Sequence, residues 1–135
     1  MAKYYLDTCI WIDYSEDRSD RFRPLGYWAF CLIRNIVRDK GIILCSDTVE
    51  KELRFYGKDP VSVFSMVPAG YLLKVSIGDE QLSEAGNLSR EFNIPPDDCV
   101  HFILARDNDA VLVTRDKHFY SLTGKVDIRK PEELV

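Results

Sequence analysis

The chain has 135 residues, of which 46% are apolar and 30% charged, and a formal net charge of −4. This length suits one domain with its own core, expected to span residues 1–135. The charge balance excludes a surface coated for nucleic acid but leaves room for a local basic patch. No apolar run approaches the ~20 residues of a membrane span; with no signal peptide either, the chain is expected in the cytoplasm.

Taken in order, the elements alternate. Residues 3–7 read as a strand, Tyr4-Tyr5-Leu6 ending on Asp7, and apolar residues resume at Ile10-Trp11-Ile12. Residues 25–37 place Leu25, Trp28, Ala29, Leu32, Ile33 and Ile36 at helical spacing, with Gly41 past the end. Strands are expected at 42–45 and 71–75, with a helix after the first of them. A second amphipathic helix runs from Asp79 to Phe92 and ends before Pro95-Pro96; a third is expected over 98–107, capped by Asp97 or Asp98, with Asp97 the better cap. Strands at 110–114 and 125–128 complete the series. The strands read as buried on both faces. The pattern is that of an α/β fold, a three-layer α/β/α sandwich around a central parallel sheet of about five strands. In such sheets ligands bind beyond the carboxyl ends of the strands.

A carboxylate at a buried strand end is costly unless compensated, and Asp7 is such a group. Three more acids stand beside buried structure. After the second strand, Glu52 falls on the apolar stripe of Val49, Leu53 and Tyr56, whereas Glu50 lies about 200° away and should be solvated. Asp98 shares a helix face with Phe102 and Ala105. Asp116 follows the buried strand that ends in Thr114. Each acid alone has a plain alternative as a boundary residue, cap or turn; four near one sheet edge are a joint signal. Without matching Lys or Arg they would repel, and a divalent cation neutralises them economically. Four cysteines at 9, 31, 45 and 99 form no C-x-x-C pair, and only His101 and His118 are available. Zinc is therefore not expected, the cysteines read as buried apolar residues, and an all-oxygen site favours Mg²⁺ or Mn²⁺. Such a site suits phosphoryl chemistry on nucleic acid.

Four stretches in this order resemble the PIN-domain nucleases of the VapC toxin type, and the resemblance covers nearly the whole chain. "YYLDTCIWID" resembles the opening strand with its acid, Asp7; "SDTVEKEL" the Ser-to-Glu helix, with Glu52; "PPDDCVHFILA" the acid-led helix, with Asp98 and Ala105; "VLVTRDKHF" the closing Thr-x-Asp motif, with Thr114 and Asp116. The resemblance implies metal-dependent endoribonuclease activity with Asp7, Glu52, Asp98 and Asp116 as catalytic and metal-binding residues, and Thr8, Thr114 and Asp97 supporting them. Many relatives carry Asn or Ser where this chain has Cys9, which puts one supporting hydrogen bond in question.

RNA requires positive charge. Arg18, Arg21 and Arg23 surround Phe22 in "DRSDRFRP" and are expected to form a mobile RNA-contacting arm; Arg115 joins them as a candidate phosphate contact. The 25–37 helix also carries Tyr27, Phe30 and Cys31 on its second side, which implies either a protein contact (a homodimer or an antitoxin peptide) or a larger internal core. A haloacid-dehalogenase-like phosphatase would want an acid at Cys9, and a receiver domain an acid pair before residue 97. A non-catalytic PIN-like binding module stays as the alternative function, as does a PIN nuclease of RNA processing.

Overall fold

The computed structural model describes residues 1–122 and 124–135. Five strands form one parallel sheet: β1 (Lys3–Leu6), β2 (Ile42–Ser46), β3 (Leu72–Val75), β4 (Val111–Val113) and β5 (Ile128–Arg129). Their order is β3-β2-β1-β4-β5. The chain thus winds outward from β1 through β2 to β3, then returns to β4 on the other side of β1. Right-handed crossovers place helices on opposite faces when the winding direction reverses. Accordingly α1 (Thr8–Glu16) packs with α2 (Leu25–Arg38), while α5 (Asp79–Phe92) packs with α6 (Pro96–Asp107). Two further helices, α3 (Asp47–Phe55) and α4 (Pro60–Phe64), connect β2 to β3. The expected three-layer α/β/α sandwich is what forms.

The core explains the central position of β1. Tyr5, Leu6, Ile10, Trp11, Ile43, Leu44, Ile103 and Leu112 have no exposed surface. Side chains of this size contribute about 1.5–3 kcal/mol each when fully buried. Register pairs Tyr5 with Leu44 on one side and with Leu112 on the other. Strand order reverses between β1 and β4, so their carboxyl ends form the switch point at which open α/β sheets leave a crevice.

Several boundaries differ from the sequence reading. Helix α1 follows β1 directly, because Asp7 takes extended backbone (φ −61°, ψ 154°) and caps the helix through Thr8 N–H. Strand β3 is an edge strand with Leu73 and Lys74 exposed, not a strand buried on both faces. The fifth strand lies at Ile128–Arg129 rather than over 125–128. Helix α6 begins at Pro96, where a missing N–H costs nothing. Asp97 and Asp98 therefore sit inside its first turn, and neither caps it. Cys31 is buried in this chain's own core, as are Cys45 and Cys99.

Residues 17–24 form a hydrogen-bonded turn rather than a loose arm. Asp20 Oδ1 accepts from Phe22 N (2.9 Å) and Arg23 N (2.7 Å). Gly26 N donates to Arg18 O at 2.7 Å. Only glycine fits there, since a Cβ at Gly26 would stand 2.5 Å from Asp17 Cα.

Candidate active site

Register brings the first two acids together. Asp7 N donates to Val113 O at 3.0 Å, extending the β1–β4 ladder by one step. Thr114, the next residue of the neighbouring chain segment, then faces Asp7, and its Oγ1 donates to Asp7 Oδ2 at 2.7 Å. Asp7 also accepts from Thr8 N (2.7 Å) and from Cys9 Sγ (3.4 Å). Cys9 thus supplies a hydrogen bond of its own at the position in question. Thr114 Oγ1 in turn accepts from Asp116 N at 3.0 Å, which folds Asp116 back toward the strand end.

Helix α3 supplies Glu52. Val49 and Leu53 are fully buried and fix the rotation of the helix. Ser46 fixes its start, accepting from Val49 N at 3.1 Å. Glu52 is thereby carried to the end of β1, where Thr8 Oγ1 donates to its Oε1 at 2.9 Å and His101 Nε2 meets the same oxygen. Glu50 faces the other way but is not solvated. Its carboxylate takes Lys74 at 2.5 Å and Arg54 at 3.5 Å.

His101 is one of two histidines beside the carboxylates that the sequence did not single out. It sits three residues after Asp98 on α6, fully buried, with Nδ1 at 2.6 Å from Tyr5 Oη and Nε2 at 3.6 Å from Asp7 Oδ1. Tyr5 Oη lies 2.7 Å from Ser46 Oγ. His101 Nε2–H donates to an ionised Glu52. Nδ1 then accepts from the Tyr5 hydroxyl, or donates to the Tyr5 oxygen when the ring is charged. Burial opposes charge on His101, but the Glu52 hydrogen bond and the nearby Asp7, Glu52 and Asp98 carboxylates outweigh it and push its pKa up. For Glu52, burial raises the pKa, and the His101 and Thr8 hydrogen bonds bring it below the ordinary value.

Asp98 and Asp116 meet through the second histidine. His118 Nδ1 lies 2.9 Å from Asp98 Oδ2 and 3.1 Å from Asp116 Oδ1. Burial pushes Asp98 up to about 6, aided by the charges of Asp116 and Asp7 and opposed by the His118 hydrogen bond. The same hydrogen bond and carboxylates raise His118. The two histidines correct the expectation of an all-oxygen cluster without nitrogen donors.

All four acids line one cavity of about 180 Å³ at the switch point, together with Thr8, Cys9 and Arg18. A larger hollow of about 530 Å³, near residues 124–129, contains none of these groups. Asp7, Glu52 and His101 present ligand atoms within 4.8 Å of one another, as do Asp98, Asp116 and His118. Such a donor set, mostly carboxylate oxygen and open to the cavity, fits a hard divalent cation.

The remaining candidates separate. Asp97 turns away to Lys51 at 3.1 Å. Arg115 is 13% exposed and held by Asp13 (3.3 Å) and Glu132 (2.9 Å), with its guanidinium 5.5 Å from the Trp28 ring. Its charge is matched inside the protein by these two carboxylates. Arg23 pairs with Asp20 at 2.6 Å and Arg21 lies over the Phe22 ring, both in the solvent-facing turn. Of the three arginines in that turn, Arg18 is the one that reaches the cavity.

A family model described as PIN domain matches residues 4–125, and the chain belongs to that family. No curated protein sequence matches it. Among solved structures, the chain is similar to one in VapBC2 from Rickettsia felis bound to a DNA fragment from its promoter. That match has 16% identity and a TM-score of 0.70, over 95% of this chain and 98% of that one. It is also similar to a chain of a toxin–antitoxin complex from Klebsiella pneumoniae, at 17% identity and a TM-score of 0.65, over 95% and 97% of the two chains. FitAcB from Neisseria gonorrhoeae gives 17% identity and a TM-score of 0.62, over 97% and 99%. At these identities the likeness is one of fold. Among the described residues, no helix is long and apolar enough to cross a membrane.

Proposed function

We propose that this PIN-domain chain is a divalent-metal-dependent endoribonuclease, using Mg²⁺ or Mn²⁺ to hydrolyse RNA phosphodiester bonds, and the toxin of a toxin–antitoxin pair. The observation that carries the reading is the convergence of Asp7, Glu52, Asp98 and Asp116 on one cavity at the sheet's switch point. Asp7 and Glu52, with His101, would hold one ion; Asp98 and Asp116 would complete that site or hold a second. When bound, the cation supplies the positive charge that balances a phosphodiester during hydrolysis and promotes ionisation of water. Thr8 and Thr114 orient Glu52 and Asp7 by donating to them. Arg18, on the cavity wall, contributes charge toward the phosphates.

A protein partner suits α2. Tyr27 and Phe30 are 56% and 46% exposed, and the Phe30 ring stacks at 6.5 Å on Tyr14 of α1. The structural neighbours solved in complexes with antitoxins support an antitoxin here, and we place the protein in the cytoplasm as such a toxin. A homodimer is proposed alongside it.

Labelled RNA incubated with the protein and Mn²⁺ should be cleaved; EDTA or Asp98→Asn should abolish cleavage. Undiminished cleavage in Asp98→Asn would assign the activity elsewhere, and intact RNA under every condition would favour the non-catalytic binding module.

A further inference from the structure

We propose that the aromatic pair Phe55–Tyr56, at the mouth of the acidic cavity, is a base-stacking subsite for single-stranded RNA. The proposal rests on the reading that the cavity acts on RNA and names where the strand is gripped.

Phe55 is 85% exposed and Tyr56 59% exposed, with ring centroids 5.5 Å apart and ring planes at 88°. Single exposed apolar residues are ordinary; two large rings side by side on one helix end are not explained by the core, which neither ring enters. Their position matters more. Phe55, the last residue of α3, and Tyr56, its C-cap, follow Glu52 by three and four residues and so lie toward its side of the helix end. Glu52 and Tyr56 line the acidic cavity and also a neighbouring hollow of about 350 Å³, shared with Lys51, Phe55 and Asp97. The hollow therefore adjoins the acidic cavity across Glu52 and Tyr56. A strand whose phosphate sits at the cavity has its next base beside these rings.

Basic side chains stand on the rim, each paired with a carboxylate. Glu16 accepts Lys58 at 3.0 Å and Arg18 at 3.3 Å, so one carboxylate faces two cations. Lys58 follows Tyr56 by two residues, and Arg18 lines the cavity. Aromatic faces with basic side chains nearby are a general means of holding single strands without reading sequence. A second copy of the chain would also cover exposed rings, but it would gain nothing from the adjoining acidic cavity.

The test uses a fluorescein-labelled octamer of adenylate RNA in EDTA, which prevents metal-dependent cleavage, with binding read by anisotropy. Phe55→Ala should weaken binding about 5- to 150-fold, which is 1–3 kcal/mol at tenfold per 1.4 kcal/mol. Phe55→Trp should keep the affinity and Phe55→Leu should not, since stacking needs an aromatic face. An abasic octamer should bind wild type and Phe55→Ala alike. Because Phe55 is exposed, matching thermal melts of wild type and variants are expected. Equal affinity of wild type and Phe55→Ala for the adenylate octamer overturns the subsite. So does a Phe55→Ala variant that only changes sedimentation from dimer to monomer, which assigns the surface to a second copy. With Mn²⁺, cleavage whose KM ignores Phe55 refutes the subsite alone. Phe55-dependent binding without cleavage refutes the nuclease and leaves the subsite standing.

Discussion

Asp98→Asn should stabilise the metal-free protein at pH 8 and lose most of that advantage near pH 4. Burial first, then the charges of Asp116 and Asp7, raises the Asp98 pKa from 3.8 to about 6. The folded-state value lies above the unfolded one, so the folded protein disfavours the ionised carboxylate. That cost is fully present above pH 6 and fades as the pH falls toward 4. A shift from 3.8 to about 6 is roughly two units, or about 3 kcal/mol at 1.36 kcal/mol per unit. The Asp98 side chain is only 13% exposed, so solvent screens little of it. Asparagine keeps the shape and an acceptor for His118 but weakens that hydrogen bond. A net gain of about 1–3 kcal/mol remains, on the order of 3–10 °C in Tm. Near pH 4 Asp98 is protonated in the folded wild type and about half protonated in the unfolded chain, and the gain should vanish or reverse. Urea melts in EDTA at both pH values measure this. Adding Mn²⁺ should then stabilise wild type by mass action and do less for the variant. An Asp98→Asn protein less stable than wild type at pH 8, or a gain equal at both pH values, would refute the argument from burial and neighbouring charge.

Three further outcomes follow from neighbouring contacts. Glu50→Gln should leave RNA cleavage near wild type and cost under about 1 kcal/mol in thermal melts, because its partners Lys74 and Arg54 are exposed and it faces away from the cavity. Arg115→Ala strands Asp13, a carboxylate 5% exposed, and should cost about 3–5 kcal/mol in pH 8 melts. The loss should be smaller at pH 5, since burial already raises the Asp13 pKa and its protonation relieves the stranded charge. Asp7→Asn should stabilise the metal-free protein less than Asp98→Asn does, because Asp7 accepts from Thr8, Thr114 and Cys9 and an amide cannot accept from all three donors as well; parallel melts rank the two.

Helical period and strand composition reveal most of the fold because both record burial. The 25–37 stripe and the Ile42–Ser46 run are patterns that solvent exclusion imposes. Helix α1 escapes such reading: it follows β1 without a turn residue, and its apolar residues Ile10, Trp11 and Ile12 are consecutive rather than periodic. Glu52 is legible because Val49 and Leu53 set its helix face. Asp98 is legible from the same reasoning on α6, although its neighbour Asp97 is not the cap that adjacency suggests. His101 hides in the apolar run "CVHFILA", and only its three-residue spacing from Asp98 hints at a shared face. For Arg115, adjacency to Asp116 says nothing of the partners Asp13 and Glu132, which come from distant segments.

The two histidines divide the cavity into unequal halves. Around Asp7 and Glu52, the supporting groups are backbone N–H, threonine hydroxyls and a fully buried His101 whose other nitrogen is tied through Tyr5 to Ser46. Those contacts run into β1, β2 and the start of α3, so moving any of them disturbs the core. Around Asp98 and Asp116, the support is His118, whose side chain is 53% exposed in a short turn after β4. An imidazole there can swing to solvent at little cost in packing. If the cavity takes a cation as proposed, the rigid half sets its position and the yielding half gives up a proton and a side chain to admit it. The costly acid, Asp98, stands on the yielding side. A carboxylate poised near pH 6 beside a displaceable imidazole trades a proton for a metal ion more readily than one locked by fixed donors. A strand can therefore end on Asp7, where three donors meet the charge, while Asp98, raised first by burial and then by the charges of Asp116 and Asp7, stands at the edge where an incoming ion can relieve it.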